Sequence, residues 1–125
     1  MASLPLISVV DDDAAVRKSL QSLIRSAGFA CKVFASAEDF LISEHLRTTR
    51  CLILDVRMHG MNGFELQRRL RTSHRDIPVV FITAHGSEAA RSQALKSGAM
   101  DYLCKPFSDE ALLNAIETAL KLEVI

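Results

Sequence analysis

Along this chain the apolar positions change period again and again. Leu6 to Val10 is an unbroken, largely β-branched run that suits a strand covered on both faces. Val16, Leu20, Leu23, Ile24 and Ala27 then recur at helical spacing on one face, and Gly28 supplies a stop just beyond them. Ala30 to Phe34 predicts a second strand, with Lys32 inside it marking an edge position. Ser36-Ala37-Glu38-Asp39 has the form of a capping box, opening a second helix that carries Phe40, Leu41 and Leu46. Cys51 to Leu54 forms a third apolar strand that ends at Asp55. A loop with Gly60 and Gly63 leads from it to a third helix with Leu66 and Leu70 on one side. Ile77-Pro78 introduces a fourth strand, Val79 to Ile82, ending at Thr83; Ser87 caps the helix that follows and Gly98 ends it. Tyr102 to Cys104 is a short fifth strand broken by Lys105-Pro106. Ser108 then caps a last helix bearing Leu112, Leu113, Ile116, Ala119 and Leu120.

Five strand-then-helix units with short connections imply a parallel sheet with helices on both faces, because right-handed crossovers leave few other arrangements. The chain of 125 residues, 49% of them hydrophobic, is long enough for one core and too short for two ordinary domains, so a single domain over residues 1–125 is expected. Basic and acidic residues balance at fifteen each, which leaves no global field to hold nucleic acid or an anionic membrane. No apolar run approaches the roughly 20 residues that span a bilayer, and a cytoplasmic location is the expectation. Cys31, Cys51 and Cys104 lack the spacing of a disulfide framework or a zinc site and read as small core hydrophobes.

The chemistry gathers at the strand ends. Asp11 and Asp12 close the first strand, Asp55 the third and Thr83 the fourth, while Lys105 follows the fifth; all fall on the edge where open parallel sheets bind ligands. Three carboxylates against one ammonium leave a formal charge of minus two. At about 4 Å and an effective dielectric of about 20, each like-charge pair costs on the order of 4 kcal/mol, so protons or a cation must relieve the site. An all-oxygen donor set suits Mg2+ better than zinc. Asp13, one step further on, is placed to cap the first helix. Taken singly, an aspartate here can be a cap or turn residue, Thr83 a strand former and Lys105 a surface lysine. Asp55 is harder to explain that way, because no helix begins directly after it and a buried carboxylate needs a partner.

With these segments in view, the sequence resembles the CheY-like receiver domains of two-component response regulators, most closely those of nitrogen-fixation-type transcriptional regulators. The resemblance rests on the Asp11-Asp12 pair, "LDVRMHGMNG" around Asp55, "VVFITAHG" with Thr83 and "DYLCKPF" with Lys105, and it covers essentially the whole chain. It implies a flavodoxin-like, doubly wound (βα)5 sheet in strand order 2-1-3-4-5. It also implies that Asp55 accepts a phosphoryl group and that Asp12, Asp55 and the Arg57 backbone carbonyl ligate Mg2+, with Asp11 contacting the ion directly or through water. Thr83 would then bond the phosphoryl group, Lys105 would pair with it, and Tyr102 would act as an aromatic switch beside the fourth helix, fifth strand and fifth helix. A sensor histidine kinase is the implied phosphodonor, with a DNA-binding output domain outside this chain on its C-terminal side and a homodimer formed on phosphorylation. One residue departs from the family pattern. His59 stands where a proline is usual, which predicts a looser loop around Arg57; His59 itself is not expected to bind Mg2+, which disfavours imidazole. Arg57 and His85 border the predicted site and are expected to tune phosphoryl lifetime.

The fourth helix, with Ala90, Ala94 and Leu95 as its apolar side, should be weakly anchored, as suits a switch element. Arg68, Arg69, Arg71 and Arg75 read as the solvated face of the third helix. Three rivals share the architecture. A flavin or nucleotide binder lacks its phosphate-binding loop here, since three aspartates occupy the turn where that loop would sit. A metal-dependent phosphatase with Asp55 as nucleophile would need a substrate-enclosing insertion, and none is evident. A receiver-fold binding module that is never phosphorylated would have no need of the intact acidic pair, acceptor, hydroxyl and lysine.

Overall fold

A computed structural model describes residues 4–73 and 75–122. Its elements run β1 (Leu6–Val10), α1 (Ala14–Ser26), β2 (Ala30–Phe34), α2 (Ala37–Leu41), a 3-10 turn (Glu44–Arg47), β3 (Thr49–Asp55), α3 (Gly63–Thr72), β4 (Val79–Thr83), α4 (Glu88–Lys96), β5 (Asp101–Cys104) and α5 (Asp109–Leu122). All strand pairings are parallel, and the sheet order is β2-β1-β3-β4-β5, the doubly wound arrangement expected from the sequence.

Strand alternation splits the core into two layers. Ile7, Val9, Cys51, Ile53, Val80 and Ile82 face α1 and α5, meeting Leu20, Ile24, Leu112 and Ile116. Val10, Leu52, Leu54, Val79 and Phe81 face the other way, meeting Phe40, Leu66, Leu70, Ala94 and Tyr102. The central strands β3 and β4 are buried almost throughout, as their continuous apolar runs require, while β2 at the edge exposes Lys32. A buried pair of hydroxyls, Ser8 Oγ to Thr49 Oγ1 at 2.6 Å, satisfies the polar atoms that β1 and β3 bring inside.

Four local expectations change. The predicted second helix is two pieces: α2 ends at Leu41, and Ser43 caps a separate 3-10 turn through His45 N–H, because a second capping hydroxyl restarts the chain. Cys104 is exposed, unlike buried Cys31 and Cys51, because it lies at the end of the edge strand β5. Leu95 on α4 is 41% exposed, so that helix buries only Ala94 fully. Arg75 lies beyond α3 and is half-buried, whereas Arg68, Arg69 and Arg71 are exposed on it. No helix among the described residues is long and apolar enough to cross a membrane.

Candidate functional site

The strand ends deliver the predicted side chains to one crevice. Asp11 follows β1 and is completely buried; its Oδ1 accepts the Asp13 N–H at 2.9 Å and its Oδ2 accepts from Lys105 Nζ at 2.9 Å. Asp13 also caps α1, accepting from the Ala15 and Val16 amides, so a single turn both places Asp11 and starts the helix. Arg17, one turn into α1, donates to the Asp11 carbonyl at 2.7 Å, a brace that the sequence pattern did not single out.

Asp55 ends β3 and is 6% exposed. Its Oδ1 accepts the Arg57 N–H at 3.3 Å, and its Oδ2 faces Lys105 Nζ at 3.8 Å. Burial, then the charge of Asp11, raise its pKa from 3.8 to about 6; Lys105 and the Arg57 amide pull the other way, and Asp12 adds a smaller upward push. One ammonium therefore does not neutralise the crevice. Thr83, almost fully buried at the end of β4, accepts the His85 N–H through its hydroxyl at 3.2 Å, leaving its own O–H available to donate. Tyr102 is buried in the layer beneath α4 at 2% exposure, its carbonyl accepting from Arg91 at 2.7 Å.

Asp12 is exposed and meets the crevice from its rim. Ligand oxygens from Asp11, Asp12 and Asp55 lie within 4.8 Å of one another, the one such acidic group among the described residues. A hard, oxygen-seeking dication fits that donor set, and the raised Asp55 pKa is the strain such an ion would relieve. The backbone of Arg57 lies next to Asp55, and its side chain, with Asp12, Met58 and His59, lines an open hollow of about 240 Å³ beside the crevice.

The loop from β3 to α3 is pinned at three points. Asp12 Oδ2 accepts from the His59 amide at 3.3 Å, Glu38 Oε2 accepts from the Met61 amide at 3.2 Å, and Asn62 with Glu65 forms a reciprocal capping box at the start of α3. The expected slackness from His59 in place of proline is thus offset by two carboxylates reaching in from other segments. Gly86, also not singled out from the sequence, brings the loop after β4 onto β5: a Cβ there would overlap Cys104 Sγ and sit 3.4 Å from the Tyr102 ring and 3.5 Å from Thr83 Cγ2.

A parallel 2-1-3-4-5 sheet with an acidic crevice at its strand ends is the architecture of the CheY-like, flavodoxin-like α/β domains. The family model described as the response regulator receiver domain matches residues 7–117, and the chain belongs to that family, the phosphoryl-accepting modules of two-component signalling. Among its relatives, the response regulator protein TmoT of Ectopseudomonas mendocina is 48% identical over 117 residues, covering 94% of this chain and 53% of that protein. The transcriptional regulatory protein FixJ of Bradyrhizobium diazoefficiens is 41% identical over 115 residues, covering 92% and 56%. Among solved structures, the response regulator StyR superimposes with a TM-score of 0.88 at 48% identity, covering 96% of this chain and 61% of that one. The FixJ N-terminal fragment gives 0.84 at 39%, covering 97% and 96%. The chain spans about half the length of the curated relatives it matches.

Proposed function

We propose that Asp55 is the phosphorylated residue. Asp11, Asp12, Asp55 and the Arg57 backbone carbonyl would hold Mg2+, Thr83 and Lys105 would bind the transferred group, and Tyr102 would carry the response outward. The observation that supports this most directly is the coupling of buried Asp55 to Asp11, with Lys105 the single ammonium between them.

When bound, Mg2+ supplies positive charge that neutralises the carboxylates and the oxygens in transfer. The Arg57 amide engages Oδ1 of Asp55, which leaves Oδ2, toward Lys105, as the attacking oxygen. Attack in line on a phosphohistidine of a sensor kinase forms the O–P bond as the P–N bond breaks, and the imidazole leaves with the electron pair. Lys105 lies close enough to draw toward the new phosphoryl oxygens, and the Thr83 O–H is available to donate to them. The acyl phosphate adds about one negative charge to the crevice, and reorientation of Thr83 passes that change to the Tyr102 ring and to α4.

The domain would act on itself alone, in phosphorylation and dephosphorylation, with Arg57 and His85 setting the lifetime through water access and local charge. Unchanged decay after replacing both would reject that assignment. The reading extends to one receiver domain over residues 1–125 of a cytoplasmic regulator, with no nucleic acid or membrane contact of its own. Its partners would be the histidine kinase, a C-terminal DNA-binding output domain and a second copy on phosphorylation. The greater length of the relatives, FixJ among them a transcriptional regulatory protein, supports the output domain.

Intact-mass measurement after incubation with a small acyl phosphate is the direct test. The expected result is one added phosphoryl group that requires Mg2+ and is absent from Asp55→Asn. Equal labelling of that variant would overturn the assignment, and continuous phosphate release with no adduct would instead point to a phosphatase.

A further inference from the structure

We infer that His59 is a positioning residue for Asp12, an inference that rests on the Mg2+ reading of the site. Asp11 is fixed by Lys105 and the Asp13 amide, and Asp55 by the Arg57 amide, with Lys105 facing it at 3.8 Å. Asp12 is held differently. Its hydrogen bonds among the described residues both come from His59: the backbone N–H at 3.3 Å and the ring Nδ1 at 3.1 Å converge on the same oxygen, Oδ2. An ionised carboxylate only accepts, so the ring contact is a hydrogen bond only when Nδ1 carries the proton.

Proline, usual at this position in the family, has neither a backbone N–H nor a ring donor. The double contact is therefore available to this chain because of its histidine. It joins residues 47 apart in sequence and fixes the plane of the most exposed of the three carboxylates. Ligating carboxylates work best when outer hydrogen bonds orient them, and here that outer partner is His59, which lies outside the three-carboxylate group itself. The imidazole is fully exposed, so water competes for the bond and the effect should sit at the low end of outer-partner contributions.

Calorimetric titration of the full chain with Mg2+ alone, at one fixed pH, tests this on the wild type, His59→Ala, His59→Asn and His59→Pro. Loss of the ring in His59→Ala should weaken binding about three- to tenfold. His59→Asn, which returns a side-chain donor, should recover most of the loss, and His59→Pro should lose at least as much as alanine. Equal affinity in His59→Ala would overturn the inference and leave the metal reading intact. Tighter binding would also overturn it, by showing that the ring competes with the cation. Failure of the wild type to bind Mg2+ would overturn the metal reading itself. A second readout needs no metal: long-range nitrogen–proton correlation spectra should find the His59 proton on Nδ1, and a spectrum with Nε2 protonation alone would overturn the bond.

Discussion

Lys105 Nζ is bonded to Asp11 Oδ2 at 2.9 Å and stands off from Asp55 Oδ2 at 3.8 Å. The crevice's ammonium is thus committed to the carboxylate that is not the proposed acceptor, and it reaches the acceptor only through the field. This division leaves Asp55 under-neutralised before phosphorylation and gives Lys105 a nearby place to go afterward. It also makes Asp11 dependent on Lys105, because Asp11 has no exposure to water. Lys105→Gln should cost about 3 kcal/mol in urea unfolding at neutral pH without Mg2+, the usual penalty for stranding one partner of a buried pair. Millimolar Mg2+ should return part of that loss by supplying charge to the same carboxylates. An unchanged unfolding midpoint would mean that Asp11 is satisfied without the lysine.

The pKa of Asp55 sets a pH dependence of the opposite sign to a salt-bridged aspartate. Its folded value of about 6 lies above the ordinary 3.8, so the folded state holds a proton that the unfolded chain has released. Stability from this group is therefore fully present at low pH and lost as pH rises from about 4 through about 6, by on the order of 3 kcal/mol. Asp55→Asn should remove that slope and be the more stable protein at pH 7 without Mg2+, and Mg2+ should narrow the gap. Urea titrations across this range check it; parallel curves for the two proteins would show that the carboxyl is already ionised in the acidic limb.

How much of this was legible in sequence follows from the kind of interaction involved. A parallel sheet covered on both faces and the convergence of Asp11, Asp12, Asp55, Thr83 and Lys105 follow from alternation and from charge at strand ends, which are local patterns repeated in every unit, whereas the strand order came only from the family resemblance. The capping of α1 by Asp13 was readable for the same reason. Arg17 on the Asp11 carbonyl, Glu38 on the Met61 amide and His59 on Asp12 were not, because each joins segments whose distance in the chain says nothing of their distance in space. Asn62 and Glu65 are the exception: their spacing is that of a capping box and could have placed the start of α3. The break after α2 was missed because Phe40, Leu41 and Leu46 all pack against one layer whether or not one helix carries them.

Gly86 should be as sensitive as any core position despite its exposure. A methyl group there overlaps Cys104 Sγ, while the Tyr102 ring and Thr83 Cγ2 lie at ordinary contact distance from it. Gly86→Ala should destabilise by about 1–3 kcal/mol through overpacking. The cause is separable. In a Cys104→Ala background the remaining neighbours are at ordinary contact distance, so most of that cost should vanish, and a double-mutant cycle measures the difference. Equal costs in both backgrounds would place the strain in the loop backbone instead of at the sulfur.

α4 illustrates how a helix with little buried surface is nonetheless held in place. Only Ala94 is fully buried, so the helix depends on polar ties at its two ends. At one, Arg91 donates to the Tyr102 carbonyl at 2.7 Å; at the other, Ser97 Oγ lies 2.9 Å from Oε1 of buried Gln67 while Gln67 and Arg71 donate to the Ser97 carbonyl. Ser97→Ala removes the hydroxyl and leaves Oε1 of Gln67 without its partner, a loss of about 1–2 kcal/mol. Because the helix adds little to the core, that loss should be spent locally. Amide exchange in α4 should accelerate by roughly tenfold or more while β1 and β3 keep the protection set by global unfolding. Uniform acceleration across the sheet would show instead that α4 is part of the same cooperative unit as the core, and that the proposed phosphorylation of Asp55 would have no loosely held element to move.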